Sequence, residues 1–134
     1  MNITRLILWF LVAYYLATGL YITLMPFDFY STAPGVAGTG PYNMHFIRDV
    51  GFAFTTSALA IGYGLHKQQA AVMVFGALWL LVHGLFHIGL WFVHGMAMDQ
   101  AALIDALLVS LPAIVVFVLC ARKSGRGHTP AAST

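Results

Sequence analysis

Two pairs of side chains spaced four residues apart dominate the chemistry this chain can offer: His45 with Asp49, and His83 with His87. Residues four apart share one face of a helix, so each pair can present two ligands to one ion, and two such pairs on neighbouring helices would complete a four-ligand site. Imidazole combined with carboxylate suits zinc, copper, iron or nickel. His94, Asp105 and Arg48 stand at related positions, and Met25, Met44, Met96 and Met98 would form a rim. The run His94-Gly95-Met96-Ala97-Met98-Asp99 mixes imidazole nitrogen with thioether sulfur, whose softness selects Cu(I). The leading expectation is therefore copper or zinc held by His45, Asp49, His83 and His87, for sensing, storage or delivery. Two plainer readings compete with it: methionine is ordinary filler in apolar protein, and a metal-free polar network can hold membrane helices in register.

A b-type haem is the alternative cofactor. It needs two axial histidines on different helices at one depth, which allows only His45 opposite His87 or His94. Enzymatic readings are weaker, and the pattern favours a binding protein over a catalyst. A Ser-His-Asp hydrolase would need a positioned serine, whereas Ser57 falls toward the inner end of the second apolar window and Ser110 deep in the fourth. A metal-bound water with Asp49 or Asp105 as base is the hydrolytic route left open. The single cysteine, Cys120, excludes an internal disulfide and Cys-x-x-Cys redox chemistry.

The elements that must position these residues follow from composition. The chain has 134 residues, 60% apolar and only 7% charged, with a mean hydropathy of +0.85, where about 25% charged is usual of soluble domains. The expected partner is thus the lipid bilayer. Six basic residues, 4 acidic ones and no Glu give too little basic surface for nucleic acid. Apolar windows near the ~20 residues that cross a bilayer occur at 6–25, 44–65, 70–93 and 101–121. The expected fold is an all-α antiparallel bundle of four transmembrane helices, one domain over 1–123, with 124–134 as a small, polar, disordered tail. The first window exceeds a signal-peptide core and reads as a retained helix.

Charge sets the expected orientation. Arg5, Lys67, Arg122, Lys123 and Arg126 fall at one end of the spans, and the opposite connections, 26–43 and 95–100, contain no Lys or Arg, so both termini are expected to be cytoplasmic. The connection 26–43 carries Pro26, Pro34 and Pro41 with Gly35, Gly38 and Gly40, a composition expected to give turns and extended chain. The short turn 66–69 forces its two helices to be antiparallel neighbours.

Helical projection puts His83, His87 and His94 on one seam, His45, Asp49, Phe52, Thr56, Leu59 and Tyr63 on a second, and Leu11, Tyr14, Thr18, Tyr21 and Met25 on a third. All three seams are expected to face inward. At ~1.5 Å rise per residue His45 lies at the outer rim, Asp49 and Asp105 within two turns of it, His87 deeper and His83 near the midplane. An Asp at a helix centre is disfavoured by roughly 2.5–3.5 kcal/mol on insertion scales, so an ionisable group there is by default a site hypothesis. Arg48 cannot face its neighbour Asp49 and is expected to reach Asp105 or the outer interface. Pro112 is expected to kink its helix and free a carbonyl.

The stretch Asn43-Met44-His45-Phe46-Ile47-Arg48-Asp49-Val50-Gly51, after a Gly/Pro-rich connection and followed by His83-x-x-x-His87, resembles the signature of uncharacterised small four-helix bacterial inner-membrane proteins. The resemblance spans that connection and the second and third windows. It implies a bacterial inner membrane and supplies no activity. The class competing with a metal binder is a non-catalytic accessory subunit, in a homodimer or a larger membrane complex, whose polar residues are structural.

Overall fold

A computed structural model describes residues 2–96 and 98–125; the expected disorder of the tail falls mostly outside them. Asn2 opens α1, Ile3–Leu24, by accepting the Arg5 N–H at 3.0 Å. Asn43 opens α3, Met44–Lys67, by accepting from Phe46 at 3.1 Å, and Asp99 opens α5, Gln100–Gly125, by accepting from Ala102 at 2.8 Å. Each is a side-chain oxygen satisfying an otherwise orphaned N–H of the first turn. Between them lie a short α2, Pro26–Thr32, and α4, Ala70–Val93, which starts without a side-chain cap. The four expected windows fall on α1, α3, α4 and α5, with ends differing by about a turn or less.

Three of these helices, α1, α4 and α5, are long and apolar enough to cross a membrane. With 24 residues, α3 is as long as α4, but Arg48, Asp49, Thr55, Thr56 and Ser57 dilute its hydropathy, and it is not one of the three. Large apolar side chains such as Phe10, Leu24, Phe75 and Val93 face outward, as lipid contact requires.

The connection after α1 departs from the expected turns and extended chain. Pro26 stands at the first helical position, where its missing N–H is no loss, and the Ser31 and Thr32 hydroxyls return to the Asp28 carbonyl, so α2 forms. Extended chain and a 3-10 turn at Val36–Thr39 follow.

Packing runs α1 on α3, α3 on α4 and α4 on α5. Its core is Leu8, Val12, Tyr15 and Ile22 of α1, Phe54, Ala58, Ile61 and Leu65 of α3, Met73, Ala77 and Leu80 of α4, and Ala113, Val116 and Cys120 of α5. Glycines set the closest approach. A Cβ on Gly51 would lie 2.8 Å from the Thr23 nitrogen and 2.9 Å from the Gly19 carbonyl, so the backbones of α1 and α3 touch where neither has a side chain.

That contact corrects the expected facing of two helices. With Gly51, Phe54, Ala58, Ile61 and Leu65 turned inward, the stripe His45, Asp49, Phe52, Thr56, Leu59 and Tyr63 lies on the outer face of α3. On α1, Leu11 is buried and Tyr14 and Thr18 are half-buried, whereas Tyr21 and Met25 are exposed. Helix rotation here follows the smallest residues, which permit backbone contact, rather than the most polar ones.

Candidate functional site

The polar groups that do enter the bundle gather between α4 and α5. His87 Nδ1 lies 2.9 Å from Asp105 Oδ2, with the two side chains 22% and 34% exposed. The nitrogen is shielded and the approach lacks hydrogen-bond alignment, so the contact is electrostatic, carrying charge on both sides only when His87 is protonated. One turn along α4, the His83 ring meets that of His87 at 4.7 Å, centre to centre. Trp79 stacks on His83 at 4.9 Å with planes 11° apart, and Phe54 of α3 closes the edge at 5.4 Å. Trp79, His83 and His87 repeat every four residues and therefore line one face of α4.

Asp105 owes its place to a local departure from α-geometry. Residues Asp105–Ser110 form a π-helical segment inside α5, a wider turn often found at functional positions. Pro112 lacks an N–H for the Leu108 carbonyl four residues before it, and that carbonyl accepts the Tyr14 hydroxyl of α1 instead. Ser110 Oγ donates to the Gly84 carbonyl of α4 at 3.0 Å. Gly84 keeps the two helices close enough, since a Cβ there would stand 3.2 Å from Ser110 Cα.

The remaining expected site residues lie elsewhere. His45 Nε2 stands 3.6 Å from Asp49 Oδ2, but the side chains are 90% and 56% exposed at the start of α3. Arg48 reaches neither carboxylate of the expected network: its Nε donates to the Thr23 carbonyl at 3.2 Å, tying α3 to the end of α1. His94, exposed beyond α4, places Nδ1 2.8 Å from the Leu90 carbonyl. Met25, Met44, Met96 and Met98 are all exposed. Thus His83 joins His87, His87 joins Asp105, and His45 joins Asp49, while the four expected ligands do not converge. Among the described residues no three His, Cys, Asp or Glu side chains form a group able to hold a metal ion.

Sequence reasoning missed the walls of this site. Trp79 was detectable, standing four residues before His83 as His87 stands four after it. Phe54 was not, because its contact depends on the rotation of α3. Fold and site together define a chain that is helical throughout its ordered elements among the described residues, with three helices long and apolar enough to cross a membrane and with two imidazoles and one carboxylate in sequence along a helix–helix contact. Compared with known proteins, the chain matches no family model, no curated protein and no solved structure.

Proposed function

We propose that the protein is a non-catalytic subunit of a bacterial inner-membrane complex, crossing the bilayer four times with both termini cytoplasmic, and that its interior polar residues hold the helices in register for assembly. The observation that carries this reading is where the polar groups go. Tyr14, Arg48 and Ser110 each donate to a carbonyl of another helix, and His87 meets Asp105. Such contacts stabilise membrane helix pairs by about 0.6 kcal/mol on average and fix their register. The placement of Arg5, Arg122 and Lys123 at one end supports the orientation. The fourth crossing rests on the length of α3, which matches its neighbours.

One observation favours a second reading. The shielded Nδ1 of His87 lacks an aligned hydrogen bond, with Asp105 on one side and the His83 ring on the other. In this reading copper or zinc would bridge His87 and Asp105, with His83 reaching it only after its side chain rearranges, since no three such groups stand together among the described residues. Haem has less support, since His45 and His94 are both exposed.

Both readings meet in one experiment: mass-spectrometric metal analysis and an absorption spectrum of the detergent-purified chain, with native electrophoresis of solubilised membranes. The subunit reading expects no stoichiometric metal, no uptake of added ions, and an assembly larger than the 14.6 kDa chain that Asp105→Asn weakens. Stoichiometric copper or zinc that His87→Ala removes would replace it with the metal reading. An iron-linked Soret band would replace both with haem.

A further inference from the structure

At the far end of α5 from Asp105, a cavity of about 420 Å³ opens between the start of α1, the turn joining α3 to α4, and the last turns of α5. Arg5, Arg122 and Lys123 line it, and Leu8, Leu65 and Leu119 supply its apolar wall. Leu8 and Leu65 are fully buried, so this wall belongs to the packed core and is fixed. Three cations from two helices thus converge on one space. Among the described residues none of them is paired with a carboxylate, and the chain's four acidic residues, Asp28, Asp49, Asp99 and Asp105, all lie toward the other end of the bundle. α4 also begins at this cavity, at Ala70, with no side chain capping its first N–H groups.

Mutual repulsion among three unpaired cations is relieved by an anion, and guanidinium groups match phosphate oxygens in a bidentate fork. The site lies at the ends of helices that are long and apolar enough to cross a membrane, where lipid headgroups sit. Basic pockets between transmembrane helices suit phosphate-bearing headgroups, and the apolar wall suits the start of an acyl chain. The volume is in the range of small-ligand sites, about 300–1,000 Å³. We propose that this cavity holds the headgroup of an anionic phospholipid, with Arg5, Arg122 and Lys123 clamping its phosphate. This goes beyond the subunit reading and does not depend on it.

The test is native mass spectrometry of the detergent-purified full chain, offered phosphatidylglycerol and phosphatidylcholine with the same acyl chains. The wild type should retain phosphatidylglycerol at least about 10-fold better, given three cations at the surface. The triple variant Arg5→Gln/Arg122→Gln/Lys123→Gln should lower that preference to near parity, with unchanged circular dichroism. Arg122→Gln alone, at an exposed position, should reduce it about fivefold. Lys67→Gln, outside the cavity lining, should leave it intact. Equal retention of the two lipids by the wild type would overturn the proposal, as would a preference that Arg122→Gln and the triple variant both leave undiminished. Displacement of phosphatidylglycerol by millimolar inorganic phosphate without any lipid preference in its absence would reassign the site to free phosphate and overturn the lipid assignment.

Discussion

The Tyr14 hydroxyl of α1 donates to the Leu108 carbonyl of α5, the acceptor that Pro112 leaves without its usual helical N–H. The proline and the tyrosine, far apart in sequence, therefore form one unit: a gap in one helix is closed by a side chain of another. Tyr14→Phe should lower stability by about 0.6 kcal/mol. In a Pro112→Ala background, where residue 112 regains an N–H, the same change should have a smaller effect. A double-mutant cycle by equilibrium unfolding in detergent measures the coupling, and strictly additive effects would mean that Tyr14 does not answer Pro112.

The glycine contact between α1 and α3 makes a second prediction. Alanine at 51 would press its Cβ against the backbone of residues 19 and 23, neither of which can rotate away. Gly51→Ala should destabilise the fold by about 1–3 kcal/mol, the usual range for overpacking. Gly89 has nothing within 4 Å of its would-be Cβ, so Gly89→Ala should leave stability unchanged or raise it by up to ~1 kcal/mol. Thermal midpoints of the two variants in one detergent make the comparison.

These two contacts also mark the limit of what the sequence discloses. Long apolar windows locate α1, α3, α4 and α5 because the length and apolar content of a helix are properties of its own segment. Pro112 likewise announces a freed carbonyl, since a proline's effect on its own helix is local. Which face of α3 turns inward is not local. It depends on Gly51 meeting Gly19, and a rule that sends polar residues inward turns α3 the wrong way. The expected four-ligand cluster depended on that rotation, and so did the link between His45 and His87. The His83–His87 face needed only the four-residue spacing within α4 and appears as expected, with Trp79 added.

The outward rotation of α3 can be read chemically. His45 is 90% exposed, whereas His83 is enclosed by Trp79, Phe54 and His87. Diethyl pyrocarbonate should therefore modify His45 well before His83, with peptide mapping to resolve the sites. His45→Ala and Asp49→Asn should each shift stability by no more than ~0.5 kcal/mol, as exposed pairs do. Equal modification of His45 and His83 would instead place His45 against the bundle.

The His87–Asp105 contact gives the prediction that best separates a structural pair from a ligand pair. A half-exposed contact is stabilised less than a fully buried one, so His87→Leu and Asp105→Leu should each be destabilising by about 1–2 kcal/mol, mostly because the partner is left unmatched in apolar surroundings. Replacing both with leucine removes the mismatch together with the contact, and stability should then recover to near the wild-type value. A metal site behaves differently under the same substitutions. Each single change would strip the ion, the double change would strip it no further, and added zinc would raise the melting temperature of the wild type alone. Unfolding curves of the four proteins with and without zinc decide the matter, because only a register-holding pair regains stability when both of its members are gone.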